Sequence, residues 1–551
     1  MTTLFQRRPL PIAQYMGWRL IALGLAQISV TWAGCALVVA LVGLLTGCAS
    51  LPDSVQRPVS QARTDVADTR LAAVAAASTP EDSRHLSGMR LLPAGDQAFE
   101  ARIALARAAE KSIDAQYYQI AGDASGRQFL RELRAAAARG VRVRLLVDDL
   151  QAAGHDALLA GLAAHAKVEV RMFNPLPVRD GGVGSRVLFS LHEFSRVNRR
   201  MHNKLFIADN VFAISGGRNI ADEYFGRSSE PANFIDMDML SAGPVVPALS
   251  AVFDGYWNSE HAYPIQSLVA AGTGAEAARR QFDESVQQAG TPELPVTARD
   301  PLGQSSVGTQ LAGGRVELHM AAVRVIADAP RKAGADNASL ADGAVMAGKL
   351  ELLQSARSEV LVASPYFVPG RRTLEILKQA TASKVRVSVM TNSLATTDEP
   401  LVHFGYARYR TALLEMGVAL FEMMPGAEGR LSTAGETTRS SLGRLHAKLA
   451  VVDQRWLFIG SMNMDRRSAH CNTEMALIVD SPELAGQVAR LLQGERLPGS
   501  YQVRRTDDQR GLQWIARHGQ EHVVLAAEPN ANWGQQLRLS VLSMFVNEEL
   551  L

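Results

Sequence analysis

Cysteine is nearly absent from this chain: three residues in 551, Cys35, Cys48 and Cys471, lie far apart and match no zinc-ligand spacing, and two of them fall in an apolar N-terminal region. A disulfide framework is excluded as the organising principle. An excess of charge of one sign is also missing, since 57 Lys and Arg face 55 Asp and Glu for a formal net charge of +2. So balanced a chain carries no electrostatic footprint of a nucleic-acid binder, and any phosphate recognition must be local. No separate metal-ligand cluster appears either, and neither a metal nor a cofactor is expected. What is plentiful is apolar residue, 47% against 20% charged, the balance of a globular protein. At this length a single core stops growing, so two globular units with accessory segments are expected.

The N-terminus holds a long hydrophobic run. Arg7, Arg8 and Arg19 precede an apolar stretch from Leu20 to Leu45, which ends in Leu45-Thr46-Gly47-Cys48-Ala49-Ser50. A basic flank, an apolar run and small residues before a cut read as an export signal. Leu-Thr-Gly-Cys is similar to the bacterial lipoprotein box, whose cysteine is lipidated and becomes the first mature residue, which makes Cys48 the candidate lipidation site. The alternative is an uncleaved inner-membrane anchor, because the run exceeds the roughly 7 to 15 residues of a signal core and is near the ~20 needed to span a bilayer. Both readings attach the protein to a membrane. The position of the arginines puts its body on the periplasmic side.

After residues 1–47, the segment 48–87 is rich in Ala, Ser, Thr, Asp and Arg and reads as a flexible spacer with one weak Ala-rich helix. Beyond it the chain says much the same thing twice, over 88–265 and 341–551. Each half runs from a helix-like pattern into a strand ending in Tyr117-Tyr118 or Tyr366-Phe367, then through an amphipathic helix (Gly126 to Ala138; Arg372 to Ala382) to a β-rich strand (Val141 to Val147; Val385 to Met390). Strand, helix, strand predicts parallel pairing in an α/β lobe. Residues 266–340, rich in Gly, Ala, Gln and Pro, read as an interlobe linker with a helix or two.

Each lobe also carries the same block. His202-Asn203-Lys204 and His446-Ala447-Lys448 open His-x-Lys-x4-Asp motifs ending at Asp209 and Asp453, and each has an Asn seventeen residues past its His, Asn219 and Asn463. A single His-x-Lys-x4-Asp arises by chance on the order of a few times per hundred chains of this length; two with matching downstream asparagines do not. Apolar runs on either side of Asp209-Asn210 and Asp453-Gln454-Arg455 predict that each motif opens a strand, turns and returns. His202 and Lys204 then share a face, as do His446 and Lys448, while the two Asp fall at odd spacing and take a structural role.

Paired histidines and lysines suit phosphodiester chemistry. A neutral imidazole can attack phosphorus and an imidazolium can protonate an alkoxide, because histidine titrates near 6.5. Lysines and asparagines neutralise the non-bridging oxygens, a task that metals perform elsewhere. Each histidine needs a partner to hold its tautomer. Aligning the halves on Pro244 and Pro482 sets Asp236 opposite Glu474 as the candidate orienting carboxylates, with Asp238 as an alternative to Asp236.

The duplicated blocks resemble the phospholipase D superfamily. The resemblance implies two similar α/β lobes sharing one active site at their interface and a two-step displacement through phosphohistidine. Carried over to this chain, it makes His202 the nucleophile, His446 the general acid and then base, and Lys204, Lys448, Asn219 and Asn463 the phosphate clamp. Ser461 adds a hydroxyl contact that Gly217 lacks in the other lobe. Asn392 to Asp398, Val402-His403-Phe404-Gly405-Tyr406, Arg171 to Pro175, and Glu528-Pro529 with Trp533 look like bacterial cardiolipin synthases, with His403 as a head-group contact or, equally, a core or helix-surface histidine. Phosphatidyl transfer between phospholipids is thus the expectation, with hydrolysis to phosphatidic acid or nuclease action as alternatives. The expected partners are phospholipids and a membrane, with no nucleic acid.

Overall fold

The computed structural model describes residues 50–529, except 53, 180, 191–192, 229–232, 270–273, 288–295, 335–342, 426–442, 494–498 and 519–520. The apolar N-terminal run, Cys48 and Trp533 lie outside the described residues. Among those described, no helix is long and apolar enough to cross a membrane.

Both lobes lie within one compact unit that begins at Pro52. The first is built on β1 (Ser87–Leu92), β2 (Ser112–Tyr117), β3 (Arg142–Asp148), β4 (Val168–Phe173), β5 (Leu205–Ala208), β6 (Phe212–Gly216), a short β7 (Phe234–Ile235), β8 (Asp238–Ala242) and β9 (Ala262–Pro264). Strands β4, β3 and β2 run parallel, joined by the amphipathic helices Ala124–Ala138 and Asp156–Ala163, and β5, β6 and β8 continue the sheet antiparallel. After β10 (His319–Ala327), the second lobe repeats the order with β11 (Glu359–Ala363), β12 (Arg386–Asn392), β13 (Ala419–Met423), a short β14 (Arg444–Leu445), β15 (Leu449–Val452), β16 (Trp456–Gly460) and β17 (Met475–Asp480). It is extended past β13 by β18 (Ser500–Arg505), β19 (Leu512–His518) and β20 (Glu521–Leu525).

Period-two patterning shows why these segments are strands. Phe206 and Ala208 of β5 face an outer core, whereas Leu205 and Ile207 face a central one; Ala450 and Val452 of β15 face the other outer core, whereas Leu449 and Val451 return to the same central one. The central core thus takes the inner faces of both sheets, together with helices Val245–Trp257 and Pro482–Gln493. Burying a Leu, Ile or Phe there contributes about 1.5–3 kcal/mol each.

Two segments differ from the sequence reading. The supposed flexible spacer is a packed strap: its backbone bonds the first lobe through Ser60 N to Asn258 Oδ1 (3.1 Å) and Ala62 N to Asp254 Oδ2 (2.9 Å), and the buried Arg144 donates to Ser60 O (2.9 Å). Leu71 and Val74 of its helix Arg70–Ser78 enter the first core. Polar partners replace an apolar run, which is why composition suggested a spacer. The linker does hold helices, Gly274–Gln287 and Val307–Ala312, but it also supplies β10. Its first residues pair with β1 and its last six with β17, so an 18-stranded sheet runs unbroken from one lobe into the other.

Candidate active site

The two histidines stand where the lobes exchange backbone. His202 and Lys204 lie just before β5, and His446 and Lys448 just before β15, so neither motif begins inside its long strand as the pattern had suggested. The reason is that these segments pair with the opposite lobe. His202 N donates to Thr473 O (2.9 Å) and Thr473 N to Arg200 O (2.8 Å), while β14 pairs in parallel with β7 and His446 N donates to Ile235 O (2.8 Å). Each approach is clamped from the end of a parallel strand: Asp148 binds Arg200 and accepts from Met201 N (2.8 Å), and Asn392 bonds both the N–H and the carbonyl of Leu445 (2.9 Å each).

The orienting acids cross the same boundary. His202 Nδ1 lies 3.0 Å from Glu474 Oε2 of the second lobe, and His446 Nδ1 lies 2.6 Å from Asp236 Oδ2 of the first. With Nδ1 committed as donor, Nε2 of each ring is left for chemistry. Asp238 is no substitute for Asp236, since Arg102 (2.9 Å) and Arg218 (3.2 Å) hold it. Ser461 also departs from its expected role: its hydroxyl donates to Glu474 and accepts from Met475 N (3.1 Å), so it supports the acid and not a phosphate. Gly217 has no side chain for a matching reason, because a Cβ there would sit 2.3 Å from Asp236 Oδ1. The longer Glu474 is braced by a serine; the shorter Asp236 fills that place itself and accepts directly from Met237 N (2.7 Å).

Lys204 and Lys448 are buried beside the rings, their ammonium groups donating to the His202 and His446 carbonyls. Asn219 Nδ2 donates to Tyr224 Oη (2.9 Å), and the buried Oδ1 atoms of Asn219 and Asn463 have no partner. Burial and the two lysines push His202 down to about 4 against the pull of Glu474. His446 is lowered by burial and Lys448, with Asp236 opposing. Burial alone would raise Asp236 and Glu474, but the facing imidazoles and lysines outweigh it and keep both carboxyls ionised. Burial also lowers Lys448 to about 8. The resting site therefore holds two neutral imidazoles, and an arriving phosphate anion would offset the lysines and favour protonation of one of them.

Several neighbours carried no sequence signal beyond their place near a strand end. Tyr118 meets His202 edge-on at 5.2 Å, and Tyr224 meets His446 at 5.1 Å, walling the imidazoles from water. Asp209 and Asp453 face away from the site. Asp209 accepts from the backbone N–H of Glu110, Lys111 and Ser112 (2.7–2.9 Å), and Asp453 from those of Arg357, Ser358 and Glu359 (2.7–3.0 Å). His403 takes the core alternative: it is buried, with Nε2 2.7 Å from Glu528, in a cluster with Arg410 that ties residue 528 to the second lobe.

Comparison with known proteins agrees with this arrangement. A family described as "Cardiolipin synthase, PLD-like domain" matches residues 103–257 and 350–495. Cardiolipin synthase C of Escherichia coli is 35% identical over 482 residues, covering 87% of this chain and 99% of that protein. Cardiolipin synthase A of Pseudomonas fluorescens is 26% identical, covering 74% and 68%. The crystal structure of phosphatidylserine synthase from Haemophilus influenzae shares the fold, with a TM-score of 0.52 at 13% identity over 84% of this chain and 96% of that one.

Proposed function

The chain belongs to the cardiolipin synthase group of the phospholipase D superfamily, and on that premise we propose that it makes cardiolipin by phosphatidyl transfer to phosphatidylglycerol. The observation that carries the chemistry is the exchange of carboxylates: each lobe supplies one His-x-Lys pair and the acid that orients the other lobe's histidine.

In the first step His202 Nε2 attacks phosphorus, the N–P bond forms, and the bond to the head-group oxygen breaks as His446 gives that oxygen a proton. Glu474 stabilises the charge growing on His202. In the second step His446 takes the proton of the acceptor hydroxyl, the new P–O bond forms and His202 leaves. Lys204 and Lys448 neutralise the phosphoryl oxygens throughout.

A lipid substrate is favoured over a nucleic acid by the relatives, and a cavity of about 600 Å³ lined by Met346, Leu350 and Val368 together with Arg199, Arg371 and Arg372 is compatible with one. Apolar and cationic side chains lining one cavity suit an acyl chain and a phosphate. Lipidation at Cys48 would present the site to the periplasmic face of a membrane. Incubation of the purified protein with phosphatidylglycerol, alone and with phosphatidylethanolamine, followed by mass identification of products, tests the reading. Cardiolipin with a released head-group alcohol is expected; phosphatidic acid as the dominant product would make the enzyme a hydrolase, and cleavage of DNA or RNA without lipid turnover a nuclease.

A further inference from the structure

The internal repeat lets the surroundings of the two orienting acids be compared position by position. In the first lobe, Arg102, Asp238 and Arg218 form a buried triad beside Asp236, with Asp238 held by Arg102 at 2.9 Å and by Arg218 at 3.2 Å and an Arg218 guanidinium hydrogen bonded to the Asp236 carbonyl. The equivalent positions in the second lobe follow from the register. Gly216 pairs with Asp238 as Gly460 pairs with Ala476, and Arg102 and Lys349 each stand ten residues before their first central strand. Arg218 corresponds to Met462, each sixteen residues past its histidine. Lys349, Ala476 and Met462 therefore replace Arg102, Asp238 and Arg218.

The formal charge of the two sets is the same when Asp238 is ionised and Lys349 is protonated: two arginines less one aspartate, or one lysine. Their chemistry is not. Guanidinium groups do not lose their protons in a folded protein, so the first-lobe charge is fixed. Lys349 has lost its counter-ion. It is fully buried, its Nζ reaches the Met462 carbonyl only at 3.4 Å and lies 4.7 Å from the Phe458 ring centroid, and no carboxylate among the described residues forms an ion pair with it. Met462 sits between Ser461, whose carbonyl is 3.1 Å from His202 Nδ1, and Asn463. The groups whose charges face Lys349 are Glu474 and Asp465, which favour its ammonium form, and Lys448, which opposes it; burial dominates and brings Lys349 down to about 7.

We propose that Lys349 is a positioning residue for the nucleophilic half of the site, a titratable cation on the Met462 carbonyl, next to the serine that braces Glu474, where the other half has a fixed one. When Lys349 is protonated it stabilises the Glu474 carboxylate, which then draws less on the Nδ1 proton of His202 and leaves that imidazole less basic. When Lys349 is neutral, Glu474 draws harder and His202 attacks more readily. The Asp236–His446 half has no such control. This asymmetry would separate two histidines that the repeat otherwise leaves equivalent, and it rests on the phosphohistidine reading above.

The test is the pH profile of phosphoenzyme formation by the full-length protein with a nitrophenyl phosphodiester, whose leaving group needs no proton from His446. Wild type should rise severalfold through an inflection near neutrality. Lys349→Arg, with its charge fixed, should lack that inflection and hold the low-pH rate. Lys349→Met should hold the high-pH rate and move the acidic limb upward by about half a unit to one unit. Asp465, Asp328 and Lys448 also titrate between about 6 and 8, and their contributions should persist in both variants. A Lys349→Arg profile identical in shape to that of wild type, with no inflection removed, or equal loss of rate at every pH in both variants, would overturn the proposal; if Lys349→Met does not fold, the difference between wild type and Lys349→Arg decides. Failure to trap any phosphoryl group on wild-type His202 would instead remove the histidine reading itself.

Discussion

An imidazole oriented by a carboxylate from another part of the chain loses its tautomer when that carboxylate becomes an amide. Glu474→Gln should therefore cripple turnover through His202, and Asp236→Asn through His446, each by up to about 10⁴-fold, as when an amide replaces the aspartate of a catalytic triad. Kinetics on short-chain lipids would measure it, and little change in either variant would mean that the acids only pack. The histidines themselves should separate in a quench experiment. His446→Ala should accumulate label on His202 from a nitrophenyl substrate, since the second step also lacks its base, whereas His202→Ala should trap nothing; label on wild-type His446 would reverse the assignment. The catalytic groups and both acids were legible because duplication marks them twice. Their crossing was not, because aligning the halves shows which residues are equivalent and not which are near. Ser461 misled for a related reason: a hydroxyl beside the motif looks the same whether it faces a phosphate or braces Glu474.

At the level of elements, the hairpins β5–β6 and β15–β16 turn on Asp209-Asn210 and Asp453-Gln454, all four with φ between 51° and 54°. Left-handed backbone at both central positions matches the twist of the paired strands, and Asp and Asn tolerate it well. Each aspartate also ties three backbone N–H groups at the start of its lobe's first central strand. Asp209→Ala should cost about 3 kcal/mol, because its site is fully buried and charged hydrogen bonds are lost. Asp453→Ala, half-exposed, should cost about half as much. Denaturant melts measure both, and the folded fraction should keep its KM; an equal cost at the two sites would contradict the burial argument. These turns could be read from broken apolar runs. The strap over residues 54–78 could not, since its anchors are isolated polar side chains far away in sequence, Asn258, Asp254 and Arg144. Nor could β10, whose pairing partners sit in different lobes.

For the molecule as a whole, charge neutralisation by the paired lysines implies activity that persists in strong chelator, and loss restored by one specific metal would remove the mechanism. Acid should weaken the fold in a defined window. An unfolded chain protonates His202 near 6.5 and the folded one only near 4, so stability should fall as pH drops between those values, less steeply in His202→Gln. Thermal melts across pH 7 to 5 would show it, and equal slopes would refute it. At the N-terminus, Cys48→Ala should leave an unprocessed precursor; an intact Met1 in mature wild type would support an uncleaved anchor. The strand β10, hydrogen bonded to both lobes, has a mechanical corollary. A clamshell motion would have to break the β7–β14 pairing and the His202–Thr473 backbone bond and pull both imidazoles from their carboxylates at once. Substrates must then come and go through a standing aperture, and the enzyme should turn over as a rigid frame, with single-molecule distance probes on the two lobes reporting one constant separation through the whole cycle.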